Sequence, residues 1–204
     1  MPVFSFMIIM KKYFACLFTG VLFSFSLAAQ QLQVNVNYAT TNPTVTKPVI
    51  YYSPSTKLTW DDFRAKPDAA SDAAALTNAG IGFQMNFHSK DNLATVTIVV
   101  DCNFSKNDSW VKKNKNTPYI LNHEQHHFDI AYLYAMKLIH NLKVAKYTTK
   151  NYNKLIEKIY YDTQTELLGM QNNYDRETKN SQLTDQQALW DKKIDAEVDS
   201  ISKQ

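Results

Sequence analysis

The feature that most constrains this chain is the run Leu121-Asn122-His123-Glu124-Gln125-His126-His127-Phe128-Asp129-Ile130. Thr117-Pro118 just upstream is a helix start, with Thr as N-cap and Pro at the first helical position. The helix is expected to run to about Lys146. It is apolar on most sides (Ile120, Leu121, Phe128, Ile130, Ala131, Leu133, Leu138, Leu142), which marks it as the central, buried helix. Within it, His123-Glu124-x-x-His127 sets two imidazoles about 40° apart on one face and Glu124 about 100° round from His123. That is half of a tetrahedral Zn2+ site, flanked by a carboxylate able to act as general base on a metal-activated water.

Two histidines do not complete a catalytic zinc site, which needs a third protein ligand and an open position. No other residue of the same helix points correctly. His126 lies about 80° from the centre of the His123/His127 face, where it can line the cleft or face solvent. Asp129 points nearly opposite and is expected to pair with a neighbouring element. The third ligand is therefore sought downstream, where Asp162, Glu166, Asp175 and Glu177 are available. Asp175 and Glu166 lie closest to the apolar stripe of the next helix, and Asp175 is the assigned ligand. Tyr174 beside it reads as a packing tyrosine, with donation to an oxyanion as its alternative role.

The chemistry available to such a site depends on where the chain works. Lys11 and Lys12 precede an apolar run from Tyr13 to Leu27 that ends in Ala28 and Ala29, the pattern of a secretory signal peptide. Residues 1–29 are accordingly read as a leader, with no membrane anchor after its removal, and the mature protein as secreted or periplasmic. Cys16 leaves with the leader, so Cys102 is the lone mature cysteine. An intramolecular disulfide is excluded, and metal ligands must be nitrogen, oxygen or that one thiolate. The 22 Lys and Arg against 19 Asp and Glu become nearly balanced once Lys11 and Lys12 are removed. No basic stripe suggests nucleic acid. Oligomeric state is not encoded in any recognisable feature.

Residues 30–204 read as a single domain. Leu32 to Tyr38 alternates apolar and polar, as does the pair Ile81–His88 and Val96–Phe104 around the turn Ser89-Lys90-Asp91-Asn92. Val49 to Tyr52 offers a short strand, and 64–78 reads as loop. Cys102 falls on an apolar strand face and His88 on a polar one. The strand 94–104 is expected to form the upper edge of the cleft, where a peptide adds as a further strand. After the motif helix, a second helix begins past Thr148 or Thr149, and a third at Thr184, where Thr-x-x-Gln with Gln187 resembles a capping box. Strands first and helices afterwards predict an α+β fold.

The motif His123–Ile130, with Leu58–Phe63 and Ser109-Trp110-Val111 upstream and Tyr174–Thr178 and Gln187-x-x-Trp190 downstream, resembles domain-of-unknown-function family 922. Its members are regarded as secreted zinc-dependent proteases of bacteria. The resemblance implies a zincin-like metallopeptidase fold, antiparallel N-terminal strands followed by three helices. It also implies His123 and His127 as zinc ligands and Glu124 as base. Many relatives read Tyr-Asp-x-x-Thr-x-His-Gly where this chain has Asn180 and Ser181. If that histidine were the third ligand, Asn180 would be a poor replacement; if Asp175 is the ligand, nothing is lost. The expected function is hydrolysis of peptide bonds in a peptide or protein substrate, the alternative an impaired zincin-like envelope protein that binds partners or holds metal.

Overall fold

A computed structural model describes residues 31–41 and 48–203. The expected leader lies outside the described residues. The elements are β1 (Gln31–Tyr38), β2 (Val49–Tyr51), β3 (Ala75–Leu76), β4 (Ala79–Lys90), β5 (Leu93–Ser105), β6 (Trp110–Val111), α1 (Pro118–Val144), α2 (Tyr152–Thr178) and α3 (Thr184–Ser202). The α+β class and the β4–β5 hairpin are as expected, the register running from Ala79 opposite Phe104 to Lys90 opposite Leu93.

The sheet is mixed, which corrects the expectation of purely antiparallel strands. β1 runs parallel to β5, Gln31 opposite Leu93 through Tyr38 opposite Val100, while β2 is antiparallel to the end of β5. Because β4 lines one edge of β5 along its length, β1 and β2 share the other end to end. β5 is thus interior, and strand 94–104 has no free edge for a peptide. A second correction concerns 64–78, expected as loop, together with the polar, lysine-rich segment 105–116, for which no element is expected. They contribute β3 and β6, a two-stranded antiparallel pair with Ala75 opposite Val111 and Leu76 opposite Trp110.

Period-2 alternation in β5 places Ala94, Val96, Ile98, Val100, Cys102 and Phe104 on one face, all essentially inaccessible. All but Ala94 belong to the same core as Phe128, Ala131, Ala135, Leu138 and Leu142 of α1. Aromatic rings fill the far end: Tyr52 stacks on Tyr132 at 4.3 Å and meets Phe128 edge-on at 4.9 Å. At the start of α1, the Thr117 side chain accepts from Ile120 N–H at 3.2 Å, with Pro118 following. The helix ends at Val144, two residues short of expectation. Among the described residues no helix is long and apolar enough to cross a membrane.

The side of α1 facing away from the histidines is held by a polar set. Tyr52 O–H and Gln125 Nε2 each donate to Asp129 Oδ1 at 2.9 Å, and Leu58 N–H donates to Gln125 Oε1 at 2.8 Å. Burial raises the Asp129 carboxyl, while Gln125 and Tyr52 work against that shift. Asp129 therefore pairs with a neighbouring element, as its helical position predicts, and locks the rotation of α1. Tyr52→Phe should lower stability by about 1.5–3 kcal/mol, the worth of a hydrogen bond to a charged group, in urea unfolding monitored by circular dichroism.

Candidate metal centre

His123 and His127 stand one turn apart on α1 and converge on Asp175 from α2. His123 Nε2 lies 3.1 Å from Asp175 Oδ1, His127 Nε2 lies 2.9 Å from the same oxygen, and the two Nε2 atoms are 3.3 Å apart. These three side chains form the group suited to holding a metal ion among the described residues. Both imidazoles are buried, whereas the Asp175 side chain is 38% exposed and opens the group to the cleft. Two ligands bound at about 2.0–2.1 Å to a tetrahedral ion lie roughly 3.3–3.4 Å apart. The observed separations meet that spacing with shifts of only a few tenths of an ångström, so the donor set fits a small divalent cation.

Each histidine is also held from behind. His123 Nδ1 lies 2.8 Å from Gln187 Oε1, and His127 Nδ1 is hydrogen-bonded to Gln171 Oε1, whose Nε2 donates to the His127 carbonyl at 2.9 Å. The Tyr174 ring stacks on His123 at 4.5 Å, and this tyrosine is fully buried. Its hydroxyl accepts from Gln187 Nε2 at 2.5 Å and is turned to the His123 carbonyl at 3.4 Å, so it packs and supports.

Glu124 is 2% exposed and lines the cleft with both histidines. Its Oε2 is buried with no hydrogen-bond partner among the described residues, the orphaned acceptor that a polar group entering the cleft would satisfy. Burial raises the Glu124 carboxyl, with His127 and His123 opposing. The Thr77 hydroxyl donates to the Glu124 carbonyl at 3.1 Å and ties the motif helix to the opposite wall. That wall is the segment 73–79, which encloses a cleft of about 320 Å³ together with Leu168, Gln171, Asn172, Asn180 and Ser181.

The remaining candidates fall elsewhere. Glu166 is half exposed and paired with Lys137 at 2.7 Å, Asp162 pairs with Lys158, and Glu177 accepts from Trp190 Nε1 at 3.0 Å. His126 neither lines the cleft nor faces solvent: it is buried between Asp191 at 3.2 Å and Asp195 at 3.3 Å of α3. Gln171 and Gln187 carried no expectation as site residues. Gln171 sits four residues before Asp175, hence on one helical face with it, which is the signal available for it. The Thr-x-x-Gln spacing predicts a capping role for Gln187, but α3 has no side-chain cap, and the side chain is committed inward to His123.

The stretch 69–182 matches the family model of bacterial proteins of unknown function called DUF922. The chain belongs to that family. The match spans more than half of the sequence and contains His123, Glu124, His127 and Asp175, while β1, β2 and α3 lie outside it. No curated protein and no solved structure matches the chain.

Charge in the metal-free centre is held by the ion pair of Asp175 with the histidines. Burial pushes the His127 imidazole down, but the hydrogen bond and charge of Asp175 outweigh it and raise the group from 6.5 to about 9. Burial pushes Asp175 up, yet the two histidines hold it well below the usual carboxylate range. A group raised in the folded state stabilises fully below its unfolded value and loses that contribution as pH rises through its folded value. Metal-free protein should therefore lose up to about 3 kcal/mol between pH 6.5 and 9 in urea unfolding titrations. The Asp175 side of the same pair acts below pH 4, where stability falls as the carboxylate protonates. In zinc-binding titrations, Asp175→Ala should weaken affinity by more than the roughly 10–100-fold that loss of a supporting partner costs. Glu166→Ala should leave affinity unchanged.

Proposed function

We propose that this protein is a zinc-dependent peptidase working outside the cytoplasm, in the periplasm or beyond it. The observation that carries the reading is the buried, unpartnered Glu124 Oε2 beside a His123–His127–Asp175 group at the floor of a cleft. Two imidazoles and one carboxylate make a donor set typical of zinc held for catalysis, with a position left open. When bound, such an ion polarises a carbonyl and lowers the pKa of water toward neutrality. The leader-like pattern of residues 11–29 supports action outside the cytoplasm.

The chain's own residues supply the rest. The Glu124 carboxylate accepts the proton of the attacking water and returns it to the leaving amine, so one carboxyl serves as base and then acid. Its burial favours this, since desolvation makes a carboxylate a stronger base than one in water. The extended backbone of β3 offers a place for a peptide. Lys112 N–H donates to the Ala74 carbonyl across the β3–β6 pair. Antiparallel strands alternate between bonded and non-bonded pairs, so the backbone of Ala75 is turned away from β6. Ala75 itself is buried, so an extended peptide would lie along the more exposed parts of the segment 73–79 that lines the cleft. The small side chains of Ala73, Ala74 and Ala75 leave it room.

The rival reading is a non-catalytic envelope module that holds metal, and it rests on Asn180 standing where many relatives carry histidine. Asn180 lines the cleft, and Asp175 completes the metal group without it. The exchange therefore takes no ligand from the centre, which favours the enzyme.

Glu124→Gln decides between them. In cleavage of an unstructured protein substrate followed by mass spectrometry, wild type with zinc should show hydrolysis. The variant should lose at least 10²–10⁴-fold in rate while its zinc affinity and melting temperature stay near wild type. Cleavage by the variant at the wild-type rate contradicts the mechanism; no cleavage by zinc-loaded wild type favours the binding module.

A further inference from the structure

Among the described residues Gln187 is the fully buried amide side chain, and it carries three polar contacts. Its Oε1 lies 2.8 Å from His123 Nδ1, and its Nε2 lies 2.5 Å from the Tyr174 hydroxyl and 2.5 Å from Asp191 Oδ1. The chemistry of these neighbours decides which way the amide faces. A carboxylate only accepts, so the NH₂ end must meet Asp191 and the carbonyl end must meet His123. Asp191 is itself fixed from α1, its Oδ2 accepting from Asn122 Nδ2 at 2.9 Å and its Oδ1 lying 3.2 Å from His126 Nδ1. The amide cannot flip without setting an N–H₂ against His123 and a carbonyl against a carboxylate.

A carbonyl facing His123 Nδ1 requires that nitrogen to carry hydrogen, which leaves the Nε2 lone pair directed at the space shared with His127 and Asp175. We propose that Gln187 is a positioning residue that holds His123 in the Nδ1–H tautomer and thereby makes α3 an integral part of the metal centre. This rests on the metal reading of the same site. It also extends that centre beyond the recognised family segment, which ends at residue 182, two residues before α3 begins. Gln171 does for His127 from α2, inside the family segment, what Gln187 does for His123 from outside it. Glutamine at 187 is matched to Asp191, because a carboxylate there would face another carboxylate. The pair should therefore exchange only together.

The test compares zinc dissociation constants, by competition with a chromophoric chelator, for wild type, Gln187→Met and the double variant Gln187→Glu/Asp191→Asn. Methionine keeps length and apolar volume but removes the acceptor, and should weaken zinc roughly 10–100-fold. The double variant restores an acceptor toward His123 and a donor behind it, and should recover most of the lost affinity. In metal-free protein at a pH where the imidazoles are neutral, long-range ¹H–¹⁵N spectra should show His123 protonated at Nδ1 and not at Nε2 in wild type, a preference that Gln187→Met should lose and that mere packing would not set. Wild-type affinity in Gln187→Met, or an Nε2-protonated His123, overturns the proposal. Should the methionine variant fail to fold, the double variant and the wild-type spectrum decide. A wild type that takes up no zinc contradicts the metal reading instead, and the metal-free spectra then decide the tautomer.

Discussion

Two imidazole nitrogens and one carboxylate oxygen point at a common space with no separation greater than 3.3 Å. Lone pairs brought this close repel one another unless positive charge lies among them. In the metal-free protein that charge is a proton, which is why Asp175 is driven down and His127 up. A divalent ion held by the same three atoms would answer the same demand. The surrounding structure works to prevent these side chains from relaxing apart. Asp129, Tyr52 and Gln125 fix the roll of α1, while Gln171 and Gln187 hold the rings from behind.

The labour is divided between layers. The interior strand β5 and the buried face of α1 supply the apolar core that keeps the motif helix in place. The facing walls of the cleft come from other parts, the segment 73–79 around β3 and the exposed side of α2. Thr77 joins the two by its hydrogen bond to the Glu124 carbonyl, so Glu124 and the facing wall of the cleft are one mechanical unit. Lys179, Asn180 and Ser181 form a left-handed turn with φ of 52°, 48° and 66°, and the last two line the cleft. Three such non-glycine residues in a row persist only where their surroundings impose them. Here Asn180 N–H donates to the Asp175 carbonyl at 2.8 Å and Tyr119 O–H donates to the Ser181 carbonyl at 2.8 Å.

What could be read from the residues alone follows from the range of the interactions involved. His123, Glu124 and His127 were legible because helical periodicity places them without help from the rest of the fold. So were the β4–β5 hairpin, whose turn is local, and Asp129, turned away from the histidines. Asp175 could be narrowed to a few carboxylates of α2, since helical spacing specifies a face but not which turn meets α1. The parallel pairing of β1 with β5 left no mark, because alternation looks the same in either direction. β3 and β6 are two residues each, too short for any period to show. Gln187 was misread because Thr-x-x-Gln fits a local cap as well as a distant partner, and the tertiary contact with His123 won.

Zinc K-edge absorption spectroscopy on zinc-loaded wild type tests the central claim most directly, since it reads the first coordination shell itself. Two imidazole ligands and a low-coordinate nitrogen/oxygen shell at about 2.0–2.1 Å are the expected result. A shell of oxygen alone, or one containing the sulfur of Cys102, would contradict it.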